Sequence, residues 1–448
     1  MSLRDLILVS VLGATLPFAL RYAFVGVLLW TWIGIMNPHK LAWGFMFNAP
    51  VASAVGAVTL VALFTTKDRV KLPLAPPLVF MILFLVWTCI TTLTAFYPDA
   101  SANQLEKVLK IQLMLLVTAS VLYKFEHIRL YIWVNVLSLA FYGVKGGIYT
   151  IMTAGGGRVW GPPGGFISGN NELALALIMA IPLMYFLRLT TPHAWLKRFL
   201  LLAMGLSAIS AIGTQSRGAF VAIIAMGGVL WWRAPNKLIN LLMIGMLAGA
   251  IWTFMPQSWH DRIYSIQTYE DDGSAMGRIF AWQTAINIAN DKVVGAGYAM
   301  YEKDIFQVYA PPAGDSVFDS SIARAAHSIY FQVLGEHGYI GLSLFMLIWI
   351  SAWRMAARLR RGTRKDEETM WLYHFGSMAQ VSLIGWLAGG AFLSLSYWDF
   401  PYNVVVTLIV ASRWQKERHT VDIRSPDSSQ GAPQVGFINR VQCWIRTA

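Results

Sequence analysis

Residues 77–96 read PLVFMILFLVWTCITTLTAF and contain no charged side chain. A helix of about 20 apolar residues is long enough to cross the hydrocarbon core of a bilayer. Similar apolar runs recur from residue 6 to about residue 413. Of the 448 residues, 56% are hydrophobic and 13% are charged, and this charged share is about half that of an ordinary soluble domain. The sequence therefore predicts an all-α polytopic membrane protein and excludes a soluble globular enzyme.

Basic side chains are concentrated in the short connectors between the apolar runs, and the positive-inside rule places such connectors in the cytoplasm. They are Lys67, Arg69 and Lys71; Lys124 and Arg129; Arg188, Lys197 and Arg198; Arg233 and Lys237; Arg354, Arg358, Arg360, Arg361, Arg364 and Lys365; and Arg413, Lys416 and Arg418. Two apolar runs separate each pair of successive connectors. Residues 6–36, interrupted near Arg21, and residues 51–65 add one span each. This pattern predicts about 12 transmembrane helices with both termini in the cytoplasm.

The predicted organisation has four parts. Residues 1–254 carry transmembrane helices 1–10, residues 255–326 form a partly helical periplasmic loop domain, residues 327–413 carry helices 11–12, and residues 414–448 form a cytoplasmic tail. A loop of about 70 residues is usually functional. The formal net charge of +12 is explained mainly by helix orientation, so membrane lipids, and no nucleic acid, are the expected partners.

Four basic side chains stand out because they fall on the outward side of this topology or inside a span. Arg158, Arg217 and Arg278 each lie beside glycine, and Lys145 lies within the run 130–153. Glycine lets a ligand approach the backbone closely, and the planar guanidinium matches phosphate oxygens. The alternative is that each arginine is an interfacial anchor and that Lys145 pairs with an acid on a neighbouring helix. The sequence thus marks the four as candidates for binding an anionic group.

Two histidines flank the point where the long loop re-enters the membrane. His327 and His337 are separated by ten positions, which in one straight helix would place the rings about 15 Å apart along the axis and roughly 80° apart around it. A neutral histidine is well suited to accept a proton near neutral pH. One histidine is therefore expected to act as a base and the other to be structural, unless the helix breaks at Gly335.

Signals for other chemistries are weak. Cys89 and Cys443 have no partner near in sequence, which argues against a disulfide framework or a cysteine metal site. The acidic run 270–272 has the charge to hold a divalent cation, but consecutive acids usually form a solvated turn. The sequence has no Walker loop and no His-Glu-x-x-His motif. We therefore expect no cofactor and no metal.

Several short motifs lie between residues 70 and 412. The most specific is His-[Asn/Ser/Gln], nine residues, Gly, two residues, then Gly, Thr or Tyr, which here spans His327–Gly341. Thr214–Gly218 gives Thr-x-Ser-Arg-Gly, and Gly277–Trp282 gives Gly-Arg-x-x-x-Trp. Arg158 and the downstream residues 170–172 form a further element. These motifs resemble those of the O-antigen ligase and polymerase superfamily. In detail the chain resembles the O-antigen ligases and the O-glycosylation ligases of exosortase-type gene clusters.

This resemblance implies a metal-independent, inverting glycosyltransferase of the GT-C type at the periplasmic face of the bacterial inner membrane. The donor would be an O-antigen glycan on undecaprenyl diphosphate, and the acceptor a sugar hydroxyl of lipid A-core. Carried over by motif, Arg217 and Arg278 would hold the diphosphate and His327 would fall on the family histidine. His337 lies inside the nine-residue spacer, so both histidines stay candidates for the base. Further candidates are Arg158 and Lys145 for the diphosphate, and Asn171, Glu172 and Trp282 for supporting the acceptor or the loop.

Other functions share these features. An O-antigen polymerase or a protein O-glycosylation ligase would carry the same arginines and histidine. A transporter of a lipid-linked anion would line its pathway with arginines, but transporters place ionisable groups near the bilayer midplane on broken helices. Here the arginines concentrate at one face beside a large outer loop, which favours an enzyme.

Overall fold

The computed structural model describes residues 2–66, 71–255, 257, 260, 273–311, 322–364 and 366–424. The acidic run 270–272 and Cys443 lie outside these residues. Within them the protein forms helices and no β-strand, as predicted. The α-helices are α1 (Leu3–Arg21), α2 (Ala23–Met36), α3 (Val51–Thr65), α4 (Pro76–Leu93), α5 (Pro98–Val121), α6 (Phe125–Met152), α7 (Asn170–Thr190), α8 (Ala194–Gly213), α9 (Arg217–Arg233), α10 (Lys237–Phe254), α11 (Gly273–Asp291), α12 (Lys303–Tyr309), α13 (Ile329–Arg360), α14 (Met370–Gly390) and α15 (Asp399–Arg424).

Six of these helices, among the residues described, are long and apolar enough to cross a bilayer. They are α1, α4, α6, α7, α8 and α13. Two shorter helices, α2 and α3, are also apolar. This confirms the predicted all-α polytopic membrane protein. Three helices follow residue 328, rather than the two predicted there, and α15 continues to Arg424.

The centre of the bundle is α7, which packs against α6, α8, α9 and α14. Residues 173–180 of α7 are buried on every side of the helix, the pattern expected of a helix surrounded by other helices. Close packing of α6 on α8 depends on two small residues spaced four apart. A Cβ atom at Gly143 would overlap Ser207, and one at Gly147 would overlap the carbonyl of Leu206. Such spacing lets membrane helices approach closely.

The N-terminal region departs from the predicted topology. Residues 6–36 form two antiparallel helices, because the backbone at Tyr22 is extended (φ −128°, ψ 103°) and reverses the chain between α1 and α2. As a result the Arg4 guanidinium donates to the Leu41 carbonyl (2.8 Å), and the Thr65 hydroxyl donates to the Leu20 carbonyl (3.2 Å). Residues 3–65 therefore make three antiparallel helices. The predicted even number of spans before Lys67 is therefore wrong, and among the described residues Ser2 and Arg413 lie at opposite ends of the bundle.

The bundle has two distinct ends. The end that carries the α6–α7 loop (residues 153–169), the α8–α9 turn (residues 214–216) and the start of α13 is called the loop end. At the opposite, basic end, the Lys71 amide donates to the Ser120 carbonyl (3.2 Å) and the Arg413 guanidinium donates to the Lys71 carbonyl (2.7 Å). Helix α1 begins at the loop end, whereas α15 runs toward the basic end.

This topology is testable by cysteine labelling in a background that carries Cys89→Ser and Cys443→Ser. Ser2→Cys and Trp43→Cys lie at the loop end, and Asn236→Cys lies at the basic end. We expect a membrane-impermeant maleimide, applied to one side of the membrane, to label the first two together and the third only from the other side. Labelling of Ser2→Cys from the same side as Asn236→Cys would contradict the three-helix start.

Candidate functional site

The α6–α7 loop and the α8–α9 turn are joined by side-chain hydrogen bonds at the loop end. The Asn170 amide donates to the Thr214 carbonyl (2.8 Å). The Gln215 side chain accepts from Nε of Arg158 (3.2 Å) and donates to the Gly155 carbonyl (3.2 Å). Gln215 has a positive φ of 57°, which is rare for a residue other than glycine. The sharp turn that precedes Arg217 is therefore held from both sides.

Arg217 is the first residue of α9. The Ser216 hydroxyl caps the helix by accepting from the Ala219 amide (3.2 Å). A helix N-terminus carries partial positive charge and favours an anion. Arg217 is partly exposed, and the neighbouring Gly218 packs beside Phe392 in the α14–α15 loop. This places a guanidinium and a helix N-terminus together at the loop end.

Helix α11 holds the segment that leads to His327. The Trp282 indole donates to the Ala326 carbonyl (2.7 Å), and its ring stacks on Phe331 at a centroid distance of 4.8 Å. One turn earlier, the Arg324 guanidinium lies 3.1 Å from the position that a Cβ on Gly277 would occupy. The Gly-Arg-x-x-x-Trp motif thus has a structural explanation, because Gly277 and Trp282 dock the His327 segment onto the helix that carries Arg278.

His327 is exposed and has a φ of +43°. A non-glycine residue in this region is strained, and such residues often occur at functional sites. Surrounding protein and the Arg278 cation lower the pKa of His327 below its ordinary value. At neutral pH its ring is therefore neutral and able to accept a proton.

Glu172 lies in the first turn of α7 and interacts electrostatically with Arg278. Its carboxylate folds back over Gly169, where a Cβ atom would overlap it. Asn171 precedes it in the same turn and is partly exposed. The start of α7 therefore faces α11, which brings Glu172, Arg278 and His327 into one neighbourhood.

His337 is in a different environment, since its side chain is fully buried. Its Nδ1 lies 2.7 Å from the Thr91 hydroxyl, and its Nε2 lies 2.8 Å from the Tyr397 hydroxyl. The Thr91 hydroxyl donates its own proton to the Thr88 carbonyl (3.0 Å), so it receives the Nδ1 proton of His337. The Tyr397 hydroxyl also hydrogen-bonds the buried side chain of Glu336. Both ring nitrogens of His337 are thus engaged within the protein.

The two histidines are not on one straight helix. Gly338 adopts φ 66° and ψ −171° inside α13, which breaks the helix after His337. The sequence allows a break at Gly335 as the alternative to a straight helix, and the observed break lies three residues beyond it. The amides of Ala296 and Gly297 donate to the carbonyls of Gly335 and Glu336, both at 2.9 Å. These bonds satisfy carbonyls that a helix end leaves without partners.

Of the remaining candidates, Arg158 is exposed, and its hydrogen bond to Gln215 links it to the turn that precedes Arg217. Lys145 is not buried within the bundle. It lies on the outward face of α6 with Phe141 and Ile148, about 10 Å along the helix from Met152. The described contacts do not bring it to the arginines.

Arg324 and the buried partners of His337 were not identified from the sequence. Arg324 stands three residues before His327, and a basic residue so close to a candidate base was an available signal. Thr91 and Tyr397 are far from His337 in sequence, so only the fold reveals them.

A glycine substitution tests the break in α13. Gly338→Ala should lower the melting temperature in detergent, because a Cβ atom would overlap the Val293 carbonyl and the positive φ is strained for alanine. The expected cost is about 1–3 kcal/mol. The matched control is Gly205→Ala in α8, where no atom lies within 4 Å of the new Cβ, and it should be neutral or slightly stabilising. Equal melting temperatures for the two variants would contradict the break.

The motif-bearing part of the chain matches a known family. Residues 202–346, which include Arg217, Arg278 and both histidines, match the family model described as O-antigen ligase. Residues 3–192 match a family of unknown function, DUF5935. A comparison with curated proteins finds no match. Residues 202–346 are therefore similar to the O-antigen ligases, and this similarity supports an activity of the O-antigen ligase or polymerase type.

Proposed function

We propose that the protein transfers a glycan from undecaprenyl diphosphate to a sugar hydroxyl of lipid A-core, with inversion and without a metal ion. The reaction takes place at the loop end, which faces the periplasm of the bacterial inner membrane. The observation that carries this proposal is the docking of His327 beside Arg278 through the Trp282–Ala326 hydrogen bond (2.7 Å). A neutral base and a fixed cation then meet at one end of the bundle.

The diphosphate of the donor binds to Arg217 and Arg278, with Arg158 near the same turn. A guanidinium forms paired hydrogen bonds to phosphate oxygens, and the start of α9 adds the partial positive charge of a helix N-terminus. Negative charge grows on the diphosphate as the sugar leaves. Fixed positive groups stabilise that charge without reorganisation during the reaction. Glu172 balances part of the positive charge and orients Arg278.

His327 accepts the proton of the acceptor hydroxyl. The acceptor oxygen forms a bond to the anomeric carbon as the bond from that carbon to the diphosphate oxygen breaks. Undecaprenyl diphosphate leaves with the bonding electrons, and the proton moves to the ring of His327. Attack opposite the leaving group inverts the anomeric configuration. The lowered pKa of His327 keeps the ring in its accepting form at neutral pH.

His337 has a positioning role in this proposal. Its ring ties α4 to the α14–α15 loop through Thr91 and Tyr397, and its carbonyl accepts from the Trp87 indole (2.9 Å). These bonds hold the end of the short helical segment 329–337. That segment begins next to His327 and therefore fixes where the base lies.

Arginine substitutions test the diphosphate site. Arg217→Ala and Arg278→Ala should each reduce transfer by about 100-fold or more, the usual loss when one group that stabilises developing charge is removed. The measurement is formation of glycosylated lipid A-core from purified protein and undecaprenyl-linked glycan. Arg198→Ala, an exposed arginine at the basic end, is the matched control and should leave transfer unchanged.

The product of the same assay separates the related activities. Glycosylated lipid A-core supports the ligase. Longer lipid-linked glycan would instead indicate a polymerase, and glycosylated protein would indicate a protein ligase. Wild-type transfer by both arginine variants would refute the diphosphate site, and absence of any transfer by the wild type would favour a transporter.

The pH dependence of transfer tests His327 as the base. Because the pKa of His327 is lowered, the rate should be flat around neutral pH and fall only at a pH below the ordinary histidine value. Arg278→Gln removes the neighbouring cation, so the pKa of His327 should rise and the acid limb should move to higher pH. Arg278→Lys keeps the charge and should move it less. An acid limb that does not move in Arg278→Gln would contradict the assignment.

A further inference from the structure

Two adjoining clefts lie at the basic end, far from the candidate site. One of about 440 Å³ lies between the start of α4 and the last turns of α13. The other, of about 570 Å³, lies between residues 71–76, the end of α13 and α15. Both are lined by Pro76 and Arg358. They form a continuous groove, called here the basic-end groove, with a volume typical of a small-molecule site.

One part of the groove is apolar and faces outward. Phe80, Leu347 and Ile350 line the first cleft, and Leu347 and Ile350 are exposed at 37% and 43%. In a bilayer these side chains lie where acyl chains pack. The groove is therefore open to the hydrocarbon region along its apolar part.

The remaining walls are strongly basic. Arg354 and Arg358 are four residues apart, which places them on one face of α13, and Arg361 follows directly after the end of this helix. Lys71, Arg413 and Lys416 add positive charge from the other walls. Glu417 is the one acid among the described lining residues, and it pairs with Nε of Arg413 (3.0 Å).

The positive-inside rule is enough to explain why basic residues are concentrated at this end of the bundle. It does not explain why the side chain of Arg413 is buried. Its side chain is only 8% exposed. Nε donates to Glu417 and Nη1 donates to the Lys71 carbonyl, whereas the buried Nη2 finds no acceptor among the described residues. An unsatisfied buried donor on a charged group is costly. An oxygen of a bound anion would satisfy it.

We propose that the basic-end groove binds an anionic phospholipid from the leaflet opposite the candidate site. The headgroup phosphate lies among Arg354, Arg358 and Arg413, and one acyl chain follows Phe80, Leu347 and Ile350. Basic pockets between transmembrane helices are known to recognise anionic headgroups in this way. The continuity of apolar and basic walls favours a lipid over a free anion. This proposal does not depend on the proposed transfer reaction.

The test is a lipid titration of the purified, delipidated full chain, read out by native mass spectrometry. Phosphatidylglycerol should bind more tightly than phosphatidylcholine. The double variant Arg354→Gln/Arg358→Gln should weaken phosphatidylglycerol binding by about tenfold or more, since each basic side chain near an anionic headgroup contributes several-fold. Both arginines are exposed, so the variant should fold. Arg358→Lys keeps the charge and should retain most of the binding.

The matched control is Lys197→Gln/Arg198→Gln, which removes two exposed basic residues at the same end but outside the groove. It should bind phosphatidylglycerol like the wild type. Equal affinity of the wild type for both lipids, or unchanged binding by Arg354→Gln/Arg358→Gln, would overturn the proposal. Displacement of the lipid by excess inorganic phosphate would also overturn it, because the site would then be one for a free anion.

Discussion

The break in α13 at Gly338 is the constraint on which the candidate site depends. The segment from Val293 to Gly297 lies so close to Gly338 that this residue has no room for a side chain. The amides of Ala296 and Gly297 donate to the carbonyls of Gly335 and Glu336, which precede the break. This contact fastens the part of the protein that contains α11 to a membrane helix. Because α11 also holds the His327 segment through Trp282, the break indirectly sets the position of His327 relative to Arg278.

Much of the fold follows from the hydrophobic pattern of the sequence. Long uncharged runs such as 77–96 leave few alternatives to transmembrane helices, and their approximate positions are found correctly. The reversal at Tyr22 is not predictable in this way, because Arg21 fits a snorkelling anchor in one broken helix as well as a hairpin. Only the contacts of Arg4 and Thr65 with distant carbonyls distinguish the two arrangements.

The candidate site was predictable in its residue types but not in its geometry. Arginine beside glycine marks Arg217 and Arg278, because glycine lets a ligand approach closely and a guanidinium matches phosphate oxygens. Its position inside an apolar run marks Lys145, which the structure places on the outer face of α6. The sequence left both histidines as candidates for the base. Their difference arises from Thr91 and Tyr397, which lie far away in the chain and enclose only His337.

The central claim is that His327, and not His337, faces the substrates. Diethyl pyrocarbonate modifies accessible neutral imidazole rings, and mass spectrometry locates the modified residue. We expect rapid modification of His327, slower modification when undecaprenyl diphosphate is bound, and none at His337 until the protein unfolds. Modification of His337 in the folded protein at a rate similar to that of His327, or no protection of His327 by the diphosphate, would contradict this claim.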